Sequence, residues 1–362
     1  QDGFTRAIVT AFAPVLGERP GVVRADAGRG TSDQEAYDLY LKARFHWLAR
    51  GQDNVSRSIT YFRQAIARDP GFARAHAGLA FAYGVLPSYI ANASDSTLRL
   101  MTASAERAVE LDSTLVDGQV ALGMVLDQQH RFPEAESRYR AAIAREPFNV
   151  FAHHLLGFLL MITGRTDEAV AILQRAEQLD PLAKSVGTAS AGALTFSRQF
   201  PEAMATARRI LALDSTFPLA LLALGQAQVF GGQPDSAVRT LERLARWHSG
   251  APGHRSLLVL AYAAAGRWAE AERIRREFGP GASASSVEAA FAELVFGNRE
   301  ALVRLLITET GRRRWYVTHM GFGCNPLIDP LWEDPRFRAA MRSLAIEPCP
   351  LARPWPLPAR VP

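Results

Sequence analysis

Along residues 116–251 the apolar positions come in paired short runs, and the whole arrangement recurs every thirty-four residues. In residues 116–149 a first run carries Leu122, Gly123 and Leu126, and a second carries Ala135, Tyr139 and Ala142 ahead of Pro147. Steps of three and four place side chains on one face of an α-helix. Each unit therefore predicts two helices, with polar residues on the faces turned away from the pair. Pro147 lacks an N–H and disfavours helix in the residue before it, which ends the second helix. Gly123 and Ala135 are small enough to let the paired helices approach closely. Tyr139 is expected to fill the space between neighbouring units.

Three registers keep the period. Alanine recurs at Ala135, Ala169, Ala203, Ala237 and Ala271; a second ladder reads Gly164, Arg198, Gly232, Gly266; a third, always small, reads Gly123, Gly157, Ala191, Gly225. Self-similarity at this spacing marks supersecondary units that bury their apolar faces by stacking. Residues 150–183 repeat the unit with Leu156, Gly157, Leu160, Gly164, Ala169, Leu173, Ala176 and Pro181. Residues 184–217 and 218–251 are looser copies, with Ala207 or Leu241 at the large position and Ser215 or Ser249 where proline stood.

The pattern resembles the tetratricopeptide repeat, L-G-x-x-Y, then A-x-x-x-F-x-x-A, then P. The resemblance implies an all-α fold, a right-handed α-solenoid (superhelix) of stacked antiparallel helical hairpins. About seven or eight repeats are expected, with a C-terminal cap closing the open end of the stack. Their bounds are near residues 36–72, 73–115, 116–149, 150–183, 184–217, 218–251, 252–285 and 286–310, within a solenoid spanning 32–310. The copy at 73–115 fits through Leu79, Ala80 and Tyr83, but about ten residues around 87–96 are inserted between its helices. Such an insertion projects from the edge of a stack, as a tolerated surface loop or a binding loop.

Upstream, Phe4, Ile8 and Phe12 read as one side of a short helix over residues 1–12, and the glycines and prolines of 13–31 read as a linker. Downstream, residues 311–347 are expected to form the cap, with Phe337 and Met341 facing inward. The six prolines of residues 348–362 predict an extended or disordered tail. Two segments resemble a wider bacterial architecture. The run Glu35-Ala36-Tyr37-Asp38-Leu39-Tyr40-Leu41-Lys42-Ala43-Arg44 is similar to the start of the repeats in multidomain signalling proteins. In these a kinase, nucleotide cyclase or winged-helix head precedes a TolB/FlgO-like domain. Residues 1–9 resemble the last helix of that domain, and Asp329-Pro330-Leu331, then Asp334-Pro335-Arg336-Phe337, is similar to the closing motif. The chain, which opens Gln1-Asp2-Gly3, is then expected to be the C-terminal part of something longer.

The formal charge of +5 does not point to nucleic acid. Basic and acidic residues alternate, as in Arg138 and Arg140 against Glu134 and Glu136, which describes a solvated helical face. Arg312-Arg313-Arg314 is too short for a phosphate track. Hydrophobic content is 48%, yet no apolar run approaches the ~20 residues of a membrane helix, so no membrane insertion by this segment is expected.

No phosphate loop, dinucleotide fingerprint, H-E-x-x-H or C-x-x-C occurs, and no catalytic residue, cofactor or metal is assigned. His153 and His154 are adjacent, so on a helix they diverge by about 100° and cannot share a metal. His319 and Cys324 could form a base and nucleophile, but no orienting group accompanies them. Cys324 and Cys349 flank the expected cap helix, either as two free thiols or as one disulfide that would favour an extracytoplasmic setting.

In the family that the repeats resemble, the first helices line a concave side, with the second, fifth, ninth and twelfth residues of each copy facing it. Here that surface includes Met124, then Phe151, His154, Phe158 and Met161, then Leu222 and Gln226, with Phe196 and Phe230 following at the thirteenth position of their copies. Members that hold a peptide carboxylate use lysine and asparagine at the fifth and ninth positions, and no basic residue stands there in this chain. The expected partner is therefore an apolar peptide or protein segment anchored by the phenylalanines, with no direct nucleic-acid contact. The competing expectation is that these side chains fill a narrow interior and touch one another.

Overall fold

The computed structural model describes residues 29–88, 94–247, 254–281, 286–311, 324–346, 348 and 355–359. The expectations for residues 1–12, most of the linker, Arg312–Arg314, His319 and Cys349 fall outside these residues. Among the described residues the chain is α-helical throughout, with short 3₁₀ turns and no strand. Eight consecutive antiparallel hairpins follow one another. They are α1 (Gln34–Ala49) with α2 (Gln52–Arg68), α3 (Ala73–Val85) with α4 (Ser94–Leu111), and α5 (Val116–Gln128) with α6 (Phe132–Arg145). Then come α7 (Val150–Ile162) with α8 (Thr166–Leu179), α9 (Lys184–Phe196) with α10 (Phe200–Leu213), and α11 (Pro218–Phe230) with α12 (Pro234–Trp247). Last are α13 (His254–Ala264) with α14 (Trp268–Glu277) and α15 (Val287–Val295) with α16 (Arg299–Gly311). A 3₁₀ turn, Pro326–Glu333, leads into α17 (Pro335–Ser343), which packs on α16.

Why the hairpins close so tightly is visible in the small ladder. A Cβ added at Gly123, Gly157 or Gly225 would lie 2.6, 2.5 or 2.6 Å from Tyr139, Leu173 or Leu241, each sixteen residues on in the same hairpin. Tyr139 thus fills space over its own first helix rather than between units. Where the first helix carries Ala191, the residue sixteen on is Ala207, and both are fully buried. A methyl group gained on one side is matched by bulk lost on the other, which keeps the packed volume nearly constant. The alanine ladder Ala135, Ala169, Ala203, Ala237 and Ala271 is fully buried along its length.

The glycine ladder has a different cause. Gly164, Gly232 and Gly266 have φ of 92°, 74° and 73°, and His130 and Arg198 take 58° and 62° at the same register. Each closes its helix with the same pair of bonds: Arg165 N–H to Leu160 C=O at 2.8 Å and Gln199 N–H to Leu194 C=O at 2.8 Å are two examples. This left-handed C-terminal cap satisfies carbonyls that the helix end leaves unpaired. It turns the chain into the second helix within three or four residues.

First helices pack against the first helices of the hairpins on either side, and each second helix packs against the first helix that follows it. That asymmetry puts the first helices in the inner layer. Across the outer layer, Arg140 and Arg165 bridge Glu136 and Glu168 of adjacent hairpins. Such exposed pairs contribute little individually.

Candidate partner-binding groove

The inner face is built from the first helices α5, α7, α9 and α11. Met124 is buried, and its Cε lies 2.6 Å from where a Cβ on Gly84 would stand. Met161 is buried too, with its sulfur 3.5 Å from the Cβ position of Gly192 in the next hairpin. Phe151 sits edge-on to two rings from the first two hairpins, Trp47 at 5.0 Å and Phe81 at 4.8 Å, with His154 at 6.2 Å. Offset and edge-to-face geometry of this kind is the favourable one for aromatic pairs. Phe196 and Phe230 are buried. His154, Phe158, Leu222 and Gln226 are half-buried, as are Thr188 and Gly192 between them.

The inner face is therefore closed at one end and partly open in the middle. The N-terminal end is filled by Trp47, Phe81, Phe151 and Met124. Across α7, α9 and α11 a row remains whose fifth and ninth residues are His154 and Phe158, Thr188 and Gly192, Leu222 and Gln226. This row is neutral. Burial and then the nearby Arg50 guanidinium push His154 down to about 3, leaving an uncharged imidazole. Arg50 itself lies over the Trp47 ring at 4.3 Å. His153 is buried on the other side of the same turn, with Nδ1 3.0 Å from the Asn149 carbonyl.

A buried acid stands on α5. Asp127 is buried, its Oδ1 has no hydrogen-bond partner among the described residues, and burial raises it to about 7. The buried Tyr139 hydroxyl is likewise without a partner there, and burial followed by the Asp127 charge raises its pKa.

The chemistry considered for Cys324 is not available to it. Cys324 is fully buried and disulfide-bonded. Of the two alternatives for the cysteines this is the disulfide, and the chain's other cysteine, Cys349, lies outside the described residues. Among the described residues no three His, Cys, Asp or Glu side chains gather as a metal site would require, and no helix is long and apolar enough to cross a membrane.

Sequence reasoning missed how the C-terminal segment meets this face. Cys324 Sγ lies 3.4 Å from the Gly164 carbonyl and 3.9 Å from Thr166 Oγ1, in the turn between α7 and α8. Asp329 takes both carboxylate oxygens to Arg198 Nη2, at 2.9 and 2.7 Å, in the turn between α9 and α10. The Trp355 N–H donates to the same carboxylate at 2.8 Å, and the Trp355 ring stands edge-on to Phe230 at 5.0 Å, at the end of α11. Cys324, Asp329 and Trp355 thus touch three successive hairpins. The available signal was Arg198, a long side chain holding a left-handed turn where the neighbouring copies have glycine.

The family model described as Tetratricopeptide repeat matches residues 120–184 and 222–278. The chain contains tetratricopeptide repeats. The chain is also similar to a protein named Putative adenylate cyclase 3 from Rhizobium meliloti (strain 1021), 30% identical over 139 residues. That stretch is 38% of this chain and 23% of the relative, so the chain spans about a quarter of that relative's length. Among solved structures, the human IFIT1 dimer with PPP-AAAA is similar in fold, with a TM-score of 0.51 at 17% identity, covering 85% of this chain and 72% of that one. PilW, described as a widely conserved type IV pilus biogenesis factor, is 19% identical with a TM-score of 0.49, covering 60% of this chain and 96% of that one.

Proposed function

We propose that this tetratricopeptide-repeat protein is a protein-interaction module. An apolar, uncharged peptide or helix lies along the inner row of α7, α9 and α11. Supporting the reading is one observation above the rest: six residues at the fifth and ninth positions of three successive copies are half-buried, and none of them is charged. A row of this make-up favours apolar contact with a few neutral hydrogen bonds, and disfavours carboxylate or phosphate ligands, which need fixed positive charge. Thr188 and Gly192 lower the middle of the row, giving a bulky ligand residue a place between Phe158 and Leu222. The buried Met124, Phe151, Met161, Phe196 and Phe230 serve as its walls and supports in this reading, and His154, Phe158, Leu222 and Gln226 as its contact residues.

A phage-displayed library of random 16-residue peptides panned on the full chain tests this. Enriched peptides should be apolar and should lose at least about tenfold in affinity, ~1.4 kcal/mol, on Leu222→Asp. The midpoint of thermal unfolding should move little, because Leu222 is only half-buried. Enrichment of acidic or basic peptides, or affinity indifferent to Leu222→Asp, would reject the groove.

In a second reading the repeats are the non-catalytic part of a nucleotide cyclase or another bacterial signalling protein, following a TolB/FlgO-like domain. Similarity to the protein named as an adenylate cyclase favours it, as do the flanking segments at residues 35–44 and 334–337. The two readings are compatible, since a signalling protein can use such repeats to recruit a partner. Sequencing of the full gene would decide the second, and a head domain of another class would dismiss it.

A further inference from the structure

Residues 354–358 read Pro-Trp-Pro-Leu-Pro, and Trp355 and Leu357 pack against the hydrophobic core from outside the helical stack. A residue before proline is held extended, and alternating prolines favour an open left-handed helix with little conformational freedom left to lose. In such a stretch few backbone donors remain, since proline has none. The Trp355 N–H, flanked by Pro354 and Pro356, is one of them, and it is bound by Asp329 at 2.8 Å. Asp329 is in turn fixed by Arg198 through both oxygens. The indole lies edge-on against Phe230, a residue at the end of the inner row. A ring face, a fixed acceptor and an extended ligand with one amide between two prolines together make a recognition arrangement of the kind that reads proline-rich segments.

We propose that the shelf formed by Phe230 and Asp329 is a binding site for an extended aromatic–proline peptide of a partner protein. The chain's own Trp355–Pro358 stretch occupies it as a resident competitor. The proposal deepens the groove reading and rests on it in one respect: the shelf lies at the C-terminal end of the same row, so a displaced tail exposes a longer continuous surface. Its occupant is argued from the resident segment, whose aromatic ring, extended backbone and bound Trp355 amide define what fits. A tethered competitor acts at high effective concentration, so the intact chain should be nearly closed to a free peptide of the same chemistry.

The probe is a fluorescent synthetic dodecamer with the sequence of residues 351–362, titrated by anisotropy against the full chain and against full-length Trp355→Ala. The expected result is at least about tenfold tighter binding to Trp355→Ala than to the parent, because the variant's own tail competes poorly. A dodecamer with alanine in place of tryptophan should bind neither chain, and adding Phe230→Ala to Trp355→Ala should abolish the gain. Hydrogen exchange on the parent gives a second measurement that needs no variant: the Trp355 amide should be protected, and an excess of unlabelled dodecamer should accelerate its exchange. Equal affinity for both chains, or a gain that survives Phe230→Ala, overturns the proposal. A parent that elutes as a dimer and becomes monomeric on Trp355→Ala also overturns it, by assigning the shelf to the tail of a second copy. Loss of peptide binding here while Leu222→Asp still weakens the panned peptides would sink the shelf and leave the groove standing.

Discussion

Two residues per hairpin set the distance between its helices. Gly157 and Leu173 meet so closely that a Cβ at Gly157 would lie 2.5 Å from Leu173 Cγ. Alanine in place of glycine gains up to about 1 kcal/mol of helix propensity. The overpacking should outweigh it, at about 1–3 kcal/mol. Gly157→Ala is therefore expected to destabilise in urea unfolding, and Leu173→Ala to cost about 2–5 kcal/mol by leaving a cavity. The double variant should cost clearly less than the sum, because it recreates the Ala191 and Ala207 pairing found one hairpin on; additive losses would refute the volume argument. Asp127 supplies the pH counterpart. Its carboxyl is raised to about 7 in the folded chain, against about 3.9 unfolded. The folded state thus holds the extra proton between those values, and stability falls as pH rises from about 4 to 7. His154, lowered to about 3, acts in the opposite sense, with stability lost as pH falls from about 6.5 towards 3. Asp127→Asn keeps the shape of the neutral acid and removes its titration. Its stability gain over the parent should be small at pH 4 and reach a few kcal/mol at pH 8; a difference independent of pH would show that Asp127 is ionised in the fold.

At the scale of elements, periodicity made the hairpins legible because each buried stripe and each left-handed turn recurs with its cause intact. Gly123, Gly157 and Gly225 had to be small, and the ladder of Gly164, Gly232 and Gly266 had to turn, so composition at those positions carried geometry. The groove was legible only in part. Which residues face inward followed from register, but whether Phe151 faces a ligand or Trp47 and Phe81 depends on hairpins seventy to a hundred residues earlier, and no local pattern encodes that meeting. The C-terminal segment was read as a cap and a tail because nothing repeats in it. One of its attachments is the half-buried ion pair of Arg198 and Asp329. Burial pushes the Asp329 carboxyl up and the Arg198 guanidinium down, each against the pull of the other, so desolvation outweighs attraction. A pair of this sort fixes register more than it stabilises, yet losing one partner leaves a costly buried charge. Arg198→Gly relieves the left-handed backbone, a gain of about 1 kcal/mol. It also leaves Asp329 unpaired, a loss of about 3–5 kcal/mol. The net expectation is destabilisation, with faster proteolysis of residues 324–359. Adding Asp329→Asn, which still accepts from Trp355, should recover most of it; no recovery would mean that Arg198 acts through something other than this carboxylate.

Over the whole molecule the returning segment changes how the stack should unfold. In a plain solenoid each repeat touches only its neighbours, so stability is a sum of nearest-neighbour terms and the ends open first. Here α17 packs on the eighth hairpin, while Cys324, Asp329 and Trp355 reach back to the fourth, fifth and sixth. These contacts join residues 158, 131 and 125 positions apart, taking the last from Phe230 to Trp355. Opening any one of the three hairpins must break the strap, and a broken strap weakens the other two. The three should therefore exchange their amide hydrogens with one shared opening free energy, as a single cooperative unit rather than a gradient. The variant Asp329→Ala with Trp355→Ala cuts the strap at two of its three contacts without touching a helix–helix interface. In it, native-state hydrogen exchange should separate α7–α8, α9–α10 and α11–α12 into graded openings, and the urea transition should broaden with a lower slope. A variant that keeps one sharp transition and one shared opening energy would mean that helix stacking alone carries the cooperativity, with the C-terminal segment a passenger on its surface.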